Sequence, residues 1–405
     1  MRNDSPEFLR TARWVTLAVA VLILWGSLYP FDFLWPDADL LVYRLAHAAS
    51  YFISRVDSIA NVLLYVPLGA MLQFVSGRAD SPRRVPVSTL YGSVFSLSME
   101  LLQLTTPHRV TSVLDWTLNT CGSLIGASAV MLYLAVGERW RFTGMLGRRP
   151  ALVPLSLLAL WLVTLMIPSG PSRGTLLLGK AAAAGYLPTP LSLTGWSVAL
   201  ATWWVLAECT RHILRPAWAV GMLAALVLLS LFARSLTGLR PPNGLDIGSA
   251  ALVFVVAALA TRWTGRSRAG LTAALCIVAL LLEGSAPLAA GGKVGSFHWI
   301  PFSGSLLTTR DYGPLLHHLF LNGALLWSLA MALGALSWAL ALTFGLTLGI
   351  ELAQMWMPHR RAEITDPLLV AALAGAFALA RRFQRDAFGA GAFASARAAA
   401  TNEFP

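Results

Sequence analysis

The sequence predicts an all-α fold, a polytopic bundle of transmembrane helices with about 12 spans. Hydrophobic residues make up 57% of the 405 residues and charged residues only 12%, whereas a soluble chain has roughly a quarter charged residues. The apolar segments are hydrophobic on all sides and recur at the length that crosses a bilayer. The chain is therefore expected to be an integral, multi-pass membrane protein.

The candidate spans follow the apolar runs in order along the chain. They cover residues 14–28, 58–76, 85–104, 115–136, 151–167, 190–210, 217–233, 246–261, 269–285, 315–333, 336–356 and 365–380. With a cytoplasmic N-terminus, the inner segments contain 19 Lys and Arg residues and the outer segments 11. This asymmetry follows the positive-inside rule, so both termini are predicted to be cytoplasmic.

Two segments near the N-terminus need separate interpretations. The first apolar run, at 14–28, follows basic residues as a signal peptide would, but no small-residue cleavage site comes after it, so we predict an uncleaved span. The outer segment 36–56 contains LLVYRLAHAASYFI, whose pattern predicts a short amphipathic helix lying in the membrane interface.

The net charge of +11 does not indicate nucleic-acid binding, because the Lys and Arg residues fall in short loops between apolar runs. The three cysteines, Cys121, Cys209 and Cys276, lie within predicted spans without metal-ligand spacing, which favours a packing role. We see no glycine-rich phosphate loop and no metal-ligand helix, so we predict neither a cofactor nor a metal.

An internal repeat divides the chain. ELLQLTTPHRVTSVLD at 100–115 and ELAQMWMPHRRAEITD at 351–366 are identical at 7 of 16 positions. A weaker copy, LFARSLTGLRPPNGLD at 231–246, keeps the spacing from Arg240 to Asp246 but lacks the Glu and the Gln. Each copy falls between the third and fourth span of a four-span block, which predicts parallel repeats.

The repeat predicts three four-helix units, of which the middle one is degenerate, followed by a flexible cytoplasmic tail. Their ranges are 1–140, 141–264 and 265–385 for the units and 386–405 for the tail.

Polar residues of the first unit are predicted to gather just below the outer surface. They are Asp57, Asn61, Glu100, Gln103, Arg109, Asp115 and Asn119. Glu100 and Gln103 share a helix face, and Asp115 is predicted to be the N-cap of the fourth span. Arg109 is the nearest cation in sequence, and a carboxylate this close to hydrocarbon needs such a partner.

The last unit repeats most of this pattern. Its candidate site residues are His318, Asn322, Glu351, Gln354, Arg360 and Asp366. His318 stands at the position of Asp57, which predicts a pH-sensitive site, and Val370 stands at the position of Asn119.

The motifs DSIANVLLYVPLGAML at 57–72 and ELLQLTTPHRVTSVLDWTLNTCGSLIGA at 100–127 resemble the VanZ-like family of membrane proteins. The family pattern falls on Asp57, Asn61, Tyr65, Pro67, Gly69, Glu100, Gln103, Pro107, Arg109, Asp115, Asn119 and Gly122. The last unit departs from it at His318 and Val370. The resemblance implies a small bacterial membrane protein with a role in low-level teicoplanin resistance or near envelope polysaccharides, in the plasma membrane, but it implies no established mechanism.

Four functions remain open at this stage. In the first, the site binds an anionic lipid or a lipid-linked glycan. Arg109 would bind the phosphate, and Glu100, Gln103 and Asn61 would form hydrogen bonds with hydroxyl groups. Alternatively, the charged residues form a structural clamp between helices.

An enzyme would use Glu100 or His108 as general base in lipid-phosphate or glycosyl transfer, although no catalytic signature assigns these residues. A proton-coupled transporter is disfavoured because the polar residues lie near one surface and not at the midplane.

Overall fold

The chain is all-helical in the computed structural model. The structure describes residues 6–28, 31–48, 55–77, 79–107, 111–142, 152–166, 192–237, 244–285, 295–301, 312–357 and 360–382. These residues form thirteen α-helices and contain no β-strand, and an isolated bridge joins His298 and Glu363. The chain divides into two compact units, unit 1 with Met1–Thr143 and Arg381–Pro405 and unit 2 with Gly144–Ala380.

Unit 1 contains five of the helices. They are α1 (Pro6–Leu28), α2 (Ala38–His47), α3 (Arg55–Val75), α4 (Val85–Gln103) and α5 (Val113–Phe142). A short 3₁₀ turn, Pro82–Arg84, precedes α4, and Pro86 stands in the first turn of α4, where a missing N–H removes no hydrogen bond.

Unit 2 contains the other eight. They are α6 (Leu152–Met166), α7 (Leu193–Ile213), α8 (Pro216–Thr237), α9 (Gly244–Leu259), α10 (Gly265–Ser285), α11 (Tyr312–Leu333), α12 (Leu336–Gln354) and α13 (residues 365–382).

The helical fold class is confirmed, and every predicted span coincides with one of these helices. Within the described residues, five helices are long and apolar enough to cross a membrane, and five more are shorter apolar helices. The segment predicted to form an amphipathic helix contains α2. The number of spans, the interfacial position of α2 and the division into three repeats stay predictions.

Helices α3 and α5 pack against each other with their backbones in contact. A Cβ atom added to Gly126 would lie 2.0 Å from the carbonyl oxygen of Val66, and one added to Gly122 would lie 2.2 Å from that of Val62. Small residues permit this close approach between membrane helices. The contact fixes how the N-terminal half of α5 lies beside α3, which positions the first site.

Unit 2 has a large apolar core that includes the buried Trp204, and an ion pair lies within it. Glu208 on α7 is 2% exposed and Arg268 on α10 is 3% exposed. The Arg268 Nε atom lies 2.7 Å from Glu208 Oε1, and Arg211 Nη2 lies 3.1 Å from the other carboxylate oxygen. Buried ion pairs of this kind fix the register of helices more than they stabilise them.

Candidate functional site

Glu100 lies in the last turn of α4, and its carboxylate holds the chain where α5 begins. The side chain is 5% exposed, and its Oε2 accepts a hydrogen bond of 2.9 Å from the main-chain N–H of Ser112. Thr111 Oγ1 donates to the main-chain oxygen of Glu100 at 3.1 Å. The carboxylate therefore anchors the end of the loop between α4 and α5 to α4.

The start of α5 corrects one prediction. Ser112, and not Asp115, is the N-cap, because the Asp115 N–H donates to Ser112 Oγ at 3.3 Å. The side chain of an N-cap residue accepts a hydrogen bond from the N–H two or three residues later, and Ser112 does this. Asp115 is the third residue of the helix, and its Oδ1 accepts a hydrogen bond from Asn61 Nδ2 on α3.

The remaining predicted residues of unit 1 point to neighbouring helices. Gln103 Nε2 donates to the carbonyl oxygen of Ser27 at 3.0 Å, which ties α4 to the end of α1. Asn119 Nδ2 donates to Ser96 Oγ at 2.9 Å, one helical turn below Glu100. We call Asn61, Glu100, Gln103, Asp115 and Asn119 cluster 1.

The segment that contains α2 lies against the loop after α4. Arg44 Nη1 donates to the carbonyl oxygens of Leu104 at 2.7 Å and Thr106 at 3.2 Å. A cation at the carboxyl end of a helix is favourable because its charge opposes the helix dipole. The Val113 N–H also donates to the Ala48 carbonyl oxygen at 3.1 Å. Sequence reasoning missed Arg44, because the contact joins segments that no periodicity relates.

Unit 2 contains a second cluster with the same framework. Glu351 is 7% exposed, and its Oε2 accepts a hydrogen bond of 2.9 Å from the Glu363 N–H, again twelve residues later. Gln354 Nε2 donates to the Gly284 carbonyl oxygen, at the end of α10, at 3.1 Å. The Ile364 N–H donates to the His298 carbonyl oxygen at 3.1 Å, as Val113 does to Ala48 in unit 1.

The second cluster differs from cluster 1 in the charge of the side chains near the start of α13. His318 Nδ1 lies 2.8 Å from Asp366 Oδ2, where unit 1 has the pair of Asn61 and Asp115. Glu283 Oε1 lies 3.9 Å from His318 Nε2, and Glu283 Oε2 lies 3.5 Å from His317 Nε2. We call His318, Asn322, Glu351, Gln354, Arg360 and Asp366, together with these two newly found residues, cluster 2.

Arg360 is bonded to the main chain near the end of α10. Its Nη2 donates to the main-chain oxygen of Glu283 at 2.9 Å, while Glu351 accepts from a main-chain N–H. Asn322 is 1% exposed, and no hydrogen-bond partner is found for its Oδ1 among the described residues.

Several predicted residues lie outside the described part of the structure. They are His108, Arg109, Arg240 and the side chain of Asp57. The predicted tail 386–405 lies outside it as well. Among the residues that are described, no group of three or more His, Cys, Asp and Glu side chains is placed to hold a metal ion.

The model of the VanZ/LLP1 family matches residues 11–135. This range lies within unit 1 and includes every member of cluster 1, so the N-terminal segment is VanZ-like. No curated protein and no solved structure matches the chain.

Proposed function

We propose, with the VanZ-like segment 11–135 as the premise, that this membrane protein binds an anionic lipid or a lipid-linked glycan at two sites. Clusters 1 and 2 are those sites, and they face the outer leaflet of a bacterial plasma membrane with both termini in the cytoplasm. The binding serves envelope polysaccharide biology or tolerance of glycopeptide antibiotics.

The main support is the hydrogen bond that each buried carboxylate accepts from the main chain at the end of the loop that follows its helix. Glu100 and Glu351 accept from an N–H twelve residues later at 2.9 Å in both units. The loop between these two points contains Arg109 in unit 1 and Arg360 in unit 2. An arginine fork binds phosphate with two parallel hydrogen bonds, so the arginine in each loop is a candidate phosphate-binding group.

Exposed tryptophans beside both clusters support a position at the membrane interface. Trp35 is 91% exposed and follows Leu34, whose N–H donates to the Thr105 carbonyl oxygen. In unit 2, Trp299 is 74% and Trp356 is 63% exposed. Tryptophan is enriched at the level of the lipid headgroups, where its ring contacts acyl chains and its N–H contacts water.

The test uses lipid that remains bound when the full chain is purified. We expect Arg360→Ala and Arg109→Ala each to remove bound phospholipid in native mass spectrometry, and the corresponding Lys variants to keep part of it. Arg361→Ala is the matched control, because Arg361 is an exposed neighbour with the same charge. Equal lipid content in the wild type and all variants would refute the proposal.

A structural clamp is the second candidate, and the hydrogen bond from the Ser112 N–H to Glu100 favours it directly. A clamp alone predicts that Glu100→Ala lowers stability and leaves the bound lipid unchanged. Enzymatic transfer, with Glu100 or His108 as general base, has less support because an oxygen of Glu100 is bonded to the main chain.

A further inference from the structure

In cluster 2, three groups that bind anions surround one carboxylate, that of Glu283 in the last turn of α10. Glu283 Oε2 lies 3.5 Å from His317 Nε2, and Glu283 Oε1 lies 3.9 Å from His318 Nε2. The positive charge of Arg360 also acts on this carboxylate, and Arg360 Nη2 donates to the main-chain oxygen of Glu283 at 2.9 Å. Imidazole and guanidinium groups donate to carboxylates and to phosphates alike. The carboxylate of Glu283 therefore occupies a position that suits a bound anion.

The contacts that hold the Glu283 carboxylate are long. A charge-assisted hydrogen bond measures about 2.8 Å, and the contact of His318 with Asp366 has that length, 2.8 Å, whereas its contact with Glu283 does not. The side chains of Glu283, His317 and His318 are 29%, 23% and 28% exposed. The carboxylate is thus partly exposed, and it can leave the two imidazoles without breaking a short hydrogen bond.

The framework of hydrogen bonds does not require this carboxylate. Gln354 donates to the carbonyl oxygen of Gly284, and the matching glutamine of unit 1 donates to that of Ser27. Glu283 precedes Gly284, whereas Gly26 precedes Ser27. Unit 1 therefore forms the same bond with no side chain at the position of the glutamate, which indicates that Glu283 serves the chemistry of cluster 2 and not its framework.

We infer that His317, His318 and Arg360 are the anion-binding groups of cluster 2, and that the Glu283 carboxylate occupies their site until the phosphate of the ligand displaces it. This inference rests on the proposed function and names the residues that bind the phosphate in one of its two sites. A carboxylate and a phosphate repel each other, so the two do not share the same donors. Glu283 therefore lowers the affinity of cluster 2 for its ligand, and it keeps the neighbouring cations paired while no ligand is bound.

The experiment measures the binding of phosphatidylglycerol by native mass spectrometry on the full chain with Arg109→Ala, so that cluster 2 dominates. Glu283→Gln keeps the shape of the side chain and removes its charge, and we expect it to bind the lipid about tenfold more tightly. Addition of His317→Ala to Glu283→Gln should remove most of this gain, because the imidazole that the carboxylate released is then missing.

Glu363→Gln is the matched control, because it removes the same charge from unit 2 and retains an oxygen for the hydrogen bond from Thr365 Oγ1. It should bind the lipid as the parent chain does, and the melting temperature of each variant verifies the fold. Equal affinity in the parent chain and in Glu283→Gln, an equal gain in Glu363→Gln, or a gain that persists without His317 would overturn the inference. None of these results refutes the proposed function, which fails only if the wild type and every variant bind no lipid.

Discussion

Clusters 1 and 2 share a framework of hydrogen bonds and differ in the side chains around it. In both, a buried Glu holds the main chain twelve residues later, and a Gln three residues further ties its helix to a neighbouring helix, α1 in unit 1 and α10 in unit 2. The surroundings differ, because in cluster 2 His318 lies beside Asp366 and Glu283, whereas in cluster 1 Asp115 is bonded to the neutral Asn61. Hydrogen bonds to the main chain therefore fix the path of the loop. They do not determine which side chains surround it, so the two sites can differ in charge.

The helix contacts beneath the clusters differ as well. Counting from the aspartates, Gly122 and Gly126 of α5 correspond to Leu373 and Phe377 of α13. In unit 1 the backbones of α3 and α5 are in contact at these glycines. In unit 2 the side chain of Phe377 is buried in the apolar core. The same polar framework is thus compatible with two kinds of packing.

The largest loss of stability is expected at the contact between α3 and α5, where the two units pack differently. Gly126→Ala places a methyl group 2.0 Å from the Val66 carbonyl oxygen, so α3 and α5 must separate, and we expect unit 1 to lose about 3 kcal/mol of stability. Thermal unfolding in detergent measures the loss. Gly375→Ala is the control in α13, since a Cβ there meets nothing within 4 Å. Equal melting temperatures would show that the helices are not in contact.

The second prediction concerns the hydrogen bond from a main-chain N–H to a buried Glu, which both clusters contain. Glu100→Ala and Glu351→Ala each leave a buried N–H without its acceptor, and each should lower stability by about 2 kcal/mol. The Gln variants keep an acceptor oxygen and should lose about half as much. Denaturant unfolding of the four variants provides the comparison. A loss in one unit alone would show that the matching hydrogen bonds do not have matching roles.

The smallest effect concerns pH. Histidine is the side chain that changes charge between about pH 5 and 8. His318 contacts Asp366, whereas the corresponding Asp115 in unit 1 is bonded to Asn61. We expect phospholipid binding by cluster 2 to vary over this range, and His318→Asp to flatten the profile. Binding is measured in a chain with Arg109→Ala, so that cluster 2 dominates. A profile that is identical in the variant would exclude His318 as the cause.

The sequence predicted the helices well because their apolar runs are long and are separated by Pro, Gly and Arg. It also indicated Glu100 and Glu351, since the two matching segments single out those positions. It did not predict that their partners are the main-chain N–H groups of Ser112 and Glu363, because any residue offers the same N–H.

Arg44 and Glu283 were missed for a related reason. They reach their sites from helices far away in sequence, with 60 residues between Arg44 and Leu104 and 77 between Glu283 and Arg360. Contacts over such separations leave no local pattern. Tyr65 was part of the quoted motif, but only the structure shows that its side chain is buried beside Ser96 and Glu100.

The ion pair between Glu208 and Arg268 affects how unit 2 is made. The ribosome completes α7 before α10, and the two partners lie 60 residues apart. Until α10 has been made, Arg211, one turn along α7, is the cation that Glu208 contacts. The packing of α7 against α10 through the buried pair therefore follows the synthesis of both helices.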